Sequence, residues 1–364
     1  MILIKKIFLN FLLFIVSIFL VLVFIEFLLS VILTKQDYSL ERYMLFKSSN
    51  GKNVFKNIEG GFVYYPNITV NSSAFFYINE EWIKEYDYNI PTNNFGLVQT
   101  NNINTDKDSI LILGDSYTEG VGSYPWFENF NEEFFDTEFQ FINGGILGTG
   151  FEFWLNLYNH LIEKKVKISK IIILFTSDDY RRGAWYMHKN TIECINNYKN
   201  CEGNENFYGK PPENFTKSFL NRLKDYRNNN KGNIEDNLII NYLKINFPEI
   251  RSFNRNLRRR LEINDSPKIL KSNEVIKFFI DKFNDKVLFV HIPTKFEIIF
   301  NNKDFFGLKT IEYIKKNNGK IIDGFKECNF NEDDFYKYDG HPNEKGYSKL
   351  SDCIKKVTKN FLNL

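Results

Sequence analysis

Short apolar runs alternate with longer stretches of helical periodicity from residue 106 to the end of the 364-residue chain. Short apolar runs bounded by turn residues are typical of buried strands. We predict five such strands: Ile110–Leu113, Phe139–Ile142, Ile171–Phe175, Val287–Ile292 and Lys320–Ile322. Strands that alternate with helices form parallel sheets joined by right-handed crossovers. The pattern therefore predicts a three-layer α/β domain, with a five-stranded parallel sheet between two layers of helices.

The rest of the chain divides around this domain, which we place at residues 106–364. The third and fourth strands are too far apart in sequence for a simple crossover, so we predict an insertion at about residues 180–270. Residues 35–105 are rich in Tyr, Asn and Phe and are punctuated by Asn, Pro and Gly. This punctuation predicts short strands and turns. We interpret residues 35–105 as a connector that packs on the α/β domain.

The amino-terminal segment is almost continuously apolar from residue 7 to residue 34. A membrane-spanning helix needs about 20 mostly apolar residues. The segment has no small-residue cleavage site, which favours an uncleaved anchor over the alternative of a signal peptide. Lys5 and Lys6 precede it without an acidic residue, and positive charge stays on the cytoplasmic side. We predict a single transmembrane helix, with residues 1–6 in the cytoplasm and the rest of the chain outside.

Four cysteines, Cys194, Cys201, Cys328 and Cys353, are consistent with export. An even number of cysteines outside the cytoplasm suggests disulfides. Proximity in sequence favours Cys194–Cys201 and Cys328–Cys353 among the three possible pairings, and four reduced thiols remain the alternative. The cysteine spacing is not typical of a zinc site, so we expect no metal. The net charge of +2 argues against nucleic acid as a partner.

Polar turns follow the predicted strands at their carboxyl ends, where open parallel sheets bind ligands. Ser116 follows the first strand, Gly148 lies after the second, and Asp339 and His341 lie beyond the fifth. A serine nucleophile needs a base, for which His341 is the candidate, and Asp339 would orient the imidazole. The backbone N–H groups of Ser116 and Gly148 would stabilise an oxyanion. The structural alternatives are a helix N-cap at Ser116 and ordinary turn residues at the other three positions.

Three segments resemble, in the right order, sequence blocks of the SGNH/GDSL hydrolase superfamily. They are ILILGDSYTEG, FINGGILGTG and YDGHPNEKGY, and the resemblance covers about residues 108–360. It implies the flavodoxin-like SGNH hydrolase fold, with Ser116 as the nucleophile, Gly148 as an oxyanion donor and Asp339 and His341 completing the triad. It implies no cofactor. With an anchor in front, the chain resembles exported bacterial members, which implies the bacterial inner membrane and a periplasmic or extracellular catalytic domain.

Two positions depart from the pattern of that superfamily. Its third block usually reads G-x-N-D and supplies an Asn side chain to the oxyanion, whereas here TSDD places Asp178 at the Asn position. A carboxylate cannot donate unless it is protonated. Asp178 could be protonated, it could bind a sugar hydroxyl, the two backbone donors could suffice, or the protein could be inactive. The last block has the spacing D-x-H instead of the commoner D-x-x-H, which changes how Asp339 approaches the imidazole.

The function that these features predict is that of a serine esterase. We expect it to act on acyl esters, in particular O-acetyl esters, of cell-surface or envelope glycans. Two alternatives remain open: an O-acyltransferase that moves acyl groups onto a glycan, and a non-catalytic glycan-binding protein of the same fold. The expected partners are an acylated glycan or small ester substrate and, through the amino-terminal helix, the membrane.

Overall fold

The computed structural model of the protein describes most of the chain from residue 42 onward. The described residues are 42–49, 53–78, 81–123, 126–187, 189–196, 207–208 and 266–363, with helical residues 10, 13–14, 17, 19–26 and 28. Most of the predicted insertion lies outside these residues, as do parts of the predicted anchor. The predicted Cys194–Cys201 pair also lies outside the described side chains. Within the described part of the chain, no helix combines the length and the apolarity needed to cross a membrane.

The chain divides into two compact units. One consists of Met1–Leu40 and Leu220–Asn264, and its described residues are the helical ones between residues 10 and 28. The other consists of Glu41–Phe219 and Asp265–Leu364. This second unit contains all the strands and labelled helices below.

Eleven strands lie within the described residues of the second unit. They are β1 (Arg42–Ser48), β2 (Phe55–Ile58), β3 (Gly61–Tyr64), β4 (Thr69–Ile78), β5 (Glu81–Pro91), β6 (Ser109–Gly114), β7 (Gln140–Gly145), β8 (Ile168–Phe175), β9 (Phe207–Tyr208), β10 (Val287–His291) and β11 (Lys320–Asp323). Nine α-helices accompany them in the same residues. They are α1 (Ser116–Glu119), α2 (Trp126–Glu132), α3 (Phe151–Glu163), α4 (Lys189–Asn196), α5 (Pro267–Phe283), α6 (Lys295–Ile299), α7 (Phe305–Lys316), α8 (Gly324–Glu327) and α9 (Glu344–Leu362).

The central sheet has five parallel strands in the order β11-β10-β8-β6-β7. The prediction of an α/β fold with a five-stranded parallel sheet is therefore confirmed. The chain runs from β6 to β7 in one direction and then returns past β6 to β8, β10 and β11. This reversal makes β6 the switch point of the sheet, and open α/β sheets bind ligands beside such a strand.

Helices cover both faces of the sheet, and its inner strands are therefore buried. All six residues of β6 and all five of β10 are buried. Ile110 and Ile112 belong to one apolar cluster with Phe127 of α2 and Leu350 of α9. The crossovers from β7 to β8, from β8 to β10 and from β10 to β11 run across the sheet in the direction opposite to the crossover from β6 to β7. Because crossovers are right-handed, their helices lie on the face of the sheet opposite to α2. The two helical layers cover the faces of the sheet, so the site can form at the carboxyl ends of the strands.

The amino-terminal strands form a second, smaller sheet in the order β5-β4-β1-β9, and β2 and β3 form a separate hairpin. β4 is antiparallel to both β1 and β5. The hairpin contacts the α/β part directly, since the ring centroid of Phe62 lies 6.1 Å from that of Phe153 on α3. Both rings are completely buried. The region therefore shares a core with the central sheet.

A disulfide joins Cys328, which follows α8, to Cys353 on α9. Both cysteines are buried, in the cluster that fills the space between the sheet and α9. The bond ties α9 to the chain that leaves the edge strand β11. It thereby restrains the segment between them, which carries Asp339 and His341.

Candidate active site

The nucleophile candidate, Ser116, is the first residue of α1, directly after the buried strand β6. The N-cap of this helix is Asp115, whose carboxylate accepts a hydrogen bond of 2.9 Å from the N–H of Tyr117. Ser116 is therefore not the capping residue. A Cβ at Gly114 would lie 1.9 Å from Oγ1 of Thr118, so only glycine lets the helix turn back so tightly over the strand. The turn places the serine hydroxyl at the carboxyl edge of the sheet.

Ser116, His341 and Asp339 form a continuous chain of contacts. Oγ of Ser116 lies 2.8 Å from Nε2 of His341, and Nδ1 of His341 lies 2.6 Å from Oδ1 of Asp339. The side chain of Asp339 is fully buried and that of His341 is 14% exposed. With the imidazole proton on Nδ1, Nε2 can accept the hydroxyl proton of Ser116. The arrangement can thus activate a serine for attack on a carbonyl carbon.

The loop that carries the histidine and the aspartate is fixed by its own backbone and by aromatic neighbours. Gly340 separates the two residues and has a φ of +83°. This left-handed conformation lets both side chains meet in spite of the short D-x-H spacing. Its carbonyl accepts a hydrogen bond of 2.9 Å from the hydroxyl of Tyr117, and the ring of Tyr117 lies 5.3 Å from the imidazole.

The predicted oxyanion donors are the backbone N–H groups of Ser116 and Gly148. Neither N–H donates a hydrogen bond to another described residue. Gly148 has a φ of +71°, and its carbonyl accepts a hydrogen bond of 3.2 Å from the indole N–H of Trp185. The neighbouring N–H of Leu147 donates to the carboxylate of Glu119. These contacts hold the loop after β7 from both sides.

Glu119 is a buried carboxylate on the helix of the nucleophile, and its other oxygen accepts a hydrogen bond of 2.7 Å from the hydroxyl of Tyr64. Burial raises the pKa of Glu119 to about 8, although the hydrogen bonds from Tyr64 and Leu147 lower it. Glu119 therefore connects the β2–β3 hairpin with the loop of Gly148. This role was not predictable, since in the sequence Glu119 is only a glutamate in a short polar turn.

Asp178 does not contact the triad through any hydrogen bond that the structure records. Its carboxylate accepts hydrogen bonds of 3.1 Å and 2.9 Å from Nε and an Nη of Arg181, and its side chain is 48% exposed. The buried carboxylate of the turn is Asp179, which accepts from the N–H and the hydroxyl of Thr176. The two aspartates of TSDD thus have different environments. Asp178, which stands at the position of the usual Asn, forms an ion pair with Arg181.

Arg182 joins the third turn to the first. One of its Nη atoms lies 2.8 Å from Asp115 and 2.7 Å from Asp179, and it also donates to the carbonyl of Thr149 at 3.3 Å. Burial would lower the pKa of the guanidinium, but the two carboxylates raise it. The ion pairs lock together the turns after β6, β7 and β8. The ion pair with Asp115 was not predictable from local sequence, because the two residues are 67 positions apart in the chain.

Two further residues that sequence analysis missed belong to β5. The hydroxyl of Tyr86 donates to Oδ2 of Asp339, and the carboxylate of Glu85 accepts the N–H groups of Tyr338 and Asp339 at 2.7 Å and 2.8 Å. Burial raises the pKa of Glu85, although these two N–H groups lower it. In the described part of the chain, no cluster of three or more His, Cys, Asp or Glu residues could hold a metal ion.

No protein-family model and no curated protein matches the chain. Several solved structures resemble the fold distantly, among them the following three. The psychrotrophic esterase EstA from Pseudoalteromonas sp., inhibited by monoethylphosphonate, has 12% identity and a TM-score of 0.37, over 70% of this chain and 99% of that one. A member of the lipolytic protein G-D-S-L family from Veillonella parvula has 12% identity and a TM-score of 0.33, over 69% and 97%. AlinE4, an SGNH-hydrolase family esterase, has 12% identity and a TM-score of 0.29, over 70% and 97%. At these values the likeness carries no argument about substrate or mechanism.

Proposed function

We propose that the protein is a serine hydrolase of the SGNH/GDSL type that cleaves ester bonds. The observation that carries the proposal is the chain of contacts from Oγ of Ser116 through His341 to the buried carboxylate of Asp339. A serine hydroxyl, an imidazole and a buried carboxylate in this order are the working parts of a nucleophilic triad. Their position beside the switch-point strand supports the same conclusion.

The reaction follows from the positions of these groups. Oγ of Ser116 attacks the ester carbonyl carbon while Nε2 of His341 takes its proton, and the N–H groups of Ser116 and Gly148 bind the resulting oxyanion. The alcohol leaves with the proton from His341, and the acyl group stays on Ser116. Water, activated by the same imidazole, then attacks the acyl-enzyme and releases the acid. Asp339 keeps the imidazole oriented and stabilises its charged form throughout.

The oxyanion in this mechanism is bound by two backbone donors. The Asp178 carboxylate is an acceptor that Arg181 already engages. A missing side-chain donor typically costs about a hundredfold to a thousandfold in kcat. We therefore propose a slower enzyme than one with an Asn at this position.

We further propose that the substrate is an acyl ester, in particular an O-acetyl ester, of an envelope glycan. The apolar segment at residues 7–34 supports a single-pass anchor in the bacterial inner membrane, with the catalytic region periplasmic or extracellular. The disulfide between Cys328 and Cys353 supports an oxidising compartment. The aromatic side chain of Trp185, which donates to the carbonyl of Gly148, offers surface of the kind that lines ligand sites. An O-acyltransferase remains the second candidate, because a sugar hydroxyl can replace water in the last step.

The test uses the full-length protein in a mild detergent, with p-nitrophenyl acetate as substrate and a fluorescent phosphonate as a label for the nucleophile. We expect Ser116→Ala and His341→Ala each to lower kcat by at least about a thousandfold and to abolish labelling. Ser123→Ala, which removes a nearby hydroxyl, is the matched control and should retain both. Labelling without turnover would favour the acyltransferase. A folded wild-type protein that neither labels nor turns over would contradict the proposal and favour a glycan-binding protein.

A further inference from the structure

Asp339 receives a hydrogen bond on each of its two carboxylate oxygens. Oδ1 faces Nδ1 of His341 at 2.6 Å, and Oδ2 accepts from the hydroxyl of Tyr86. The side chain of Asp339 is fully buried, so that water does not replace either partner. A buried carboxylate oxygen without a donor costs about 1–3 kcal/mol or more. The hydroxyl of Tyr86 therefore helps this carboxylate to stay ionised while its other oxygen faces the imidazole.

The ring of Tyr86 is held rigidly. It is 5% exposed and lies 5.0 Å from the ring of Tyr336 and 5.8 Å from that of Tyr88. Tyr86 also belongs to a ladder strand, where it pairs with Ala74. Its hydroxyl thus has a fixed position relative to the loop that carries Asp339.

An irregularity in β5 brings a second side chain to the same loop. Tyr86 pairs with Ala74, but the next residue of β4, Phe75, pairs with Lys84, so Glu85 is an extra residue in the ladder. Such bulges are frequent next to active sites, where they re-aim a side chain. Neighbouring residues of a regular strand point to opposite faces. Here both Glu85 and Tyr86 contact the catalytic loop.

We propose that Tyr86 and Glu85 are positioning residues of the triad, supplied by the amino-terminal sheet. Tyr86 orients the carboxylate of Asp339, and Glu85 fixes the backbone of Tyr338 and Asp339 through their N–H groups. This inference rests on the proposed function, since it needs a working triad. It also assigns a role in catalysis to residues 81–91, which the sequence analysis treated as connector.

The decisive variant is Tyr86→Phe, which removes the hydroxyl and keeps the ring. We expect kcat for p-nitrophenyl acetate to fall about tenfold with little change in KM, a typical size for the loss of a supporting hydrogen bond. The acidic limb of the pH profile of kcat/KM should move to higher pH. The reason is that a carboxylate without the phenol hydrogen bond attracts the imidazole proton more strongly. The titratable groups near this carboxylate, besides His341, include Glu85, Tyr88, Tyr117 and Tyr336, and none of them is altered.

Two controls separate positioning from a general loss of structure. Tyr336→Phe removes a hydroxyl from the same aromatic cluster, where it donates 2.7 Å to the carbonyl of Gly122, and it should leave the acidic limb in place. In a variant that already carries Asp339→Asn, Tyr86→Phe should not lower kcat further, because both changes act through the hydrogen bond between residues 86 and 339. Phosphonate titration gives the active fraction and removes any contribution from misfolded protein. Full-length protein in mild detergent is used throughout.

The outcomes are distinct from those of the proposed function. If the wild type fails to turn over and label, the proposed function fails. If the wild type is active and a folded Tyr86→Phe variant keeps both its kcat and its acidic limb, the positioning role is overturned. If the Tyr86→Phe variant does not fold, 3-fluorotyrosine is incorporated at position 86 instead. It keeps the shape of the tyrosine side chain and makes its hydroxyl a stronger hydrogen-bond donor. The acidic limb must then move to lower pH, and an unmoved limb overturns the proposal.

Discussion

Glu119 shows how a single buried carboxylate can make the stability of the site depend on pH. It is 2% exposed, and burial raises its pKa to about 8, from an ordinary value of 4.5. Between these two values the folded state binds a proton that the unfolded state does not bind. Stability therefore falls as pH rises through this window, by at most about 1.4 kcal/mol per pH unit.

We expect Glu119→Gln to remove this dependence. Its amide can accept from the N–H of Leu147 and donate to the hydroxyl of Tyr64, so that both contacts have a replacement. The Tm of the variant minus the Tm of the wild type, measured by thermal unfolding, should increase from pH 5 to pH 8. Glu132→Gln, a change of an exposed glutamate on α2, should show a difference that is constant with pH. A constant difference for Glu119→Gln would contradict the raised pKa.

At the residue scale, the sequence contained enough to place the candidate triad and too little to place its supports. Ser116 was predictable as a candidate because it follows a buried strand, and His341 because it lies in a recognisable polar turn beyond the last strand. Tyr86 and Asp339 are 253 positions apart, and no local pattern distinguishes Tyr86 from the many other tyrosines of the amino-terminal region. The role of Asp178 was equally hidden, because its ion pair depends on the turn that brings Arg181 beside it.

At the scale of elements, strands such as β6 and β10 were predictable because every residue in them is buried. A run such as Ser109–Gly114 has no polar residue between its ends and can only be a core strand. The pairing of β1, β4 and β5 was not predictable. Their side chains alternate weakly, and the extra residue at Glu85 is a property of the ladder rather than of the local sequence.

The turn between Asp339 and His341 is an element whose conformation can be tested directly. Gly340 has a φ of +83°, and a Cβ there would meet no atom within 4 Å. Any cost of Gly340→Ala is therefore conformational, about 1–2 kcal/mol. We expect lower stability in denaturant unfolding and a fall in kcat, because relaxation of the turn separates the two side chains.

Gly340→Asn is the matched variant, since asparagine tolerates the left-handed region better than alanine does. It should lose less stability and less kcat than Gly340→Ala. Equal losses in the two variants would show that the side chain itself, rather than the backbone conformation, disturbs the turn.

At the scale of the whole molecule, the β2–β3 hairpin and both larger sheets of the second compact unit pack as one body. The ring centroid of Phe62 on the hairpin lies 4.5 Å from that of Trp185, and the hydroxyl of Tyr64 on the hairpin donates to Glu119. The hydroxyl of Tyr86 on β5 donates to Asp339. The sequence suggested a boundary near residue 105, because the strand–helix alternation begins there. Residues 35–105 were predicted to pack on the α/β domain, and the hairpin and β5 contact the loops of the site across that boundary.

Truncation tests this view of the molecule. A chain that begins at Glu41 keeps both sheets, and we expect it to unfold cooperatively and to retain the kcat of the full-length protein. A chain that begins at residue 106 lacks β1 to β5, exposes the apolar surface around Phe153 and Trp185, and loses the Tyr86 hydroxyl that donates to Oδ2 of Asp339. We expect this shorter chain to aggregate or to have no measurable turnover of p-nitrophenyl acetate. Circular dichroism on heating and phosphonate titration measure folding and the active fraction separately. A shorter chain that unfolds cooperatively with full kcat would mean that the α/β part is self-sufficient, and that the amino-terminal sheet only covers it.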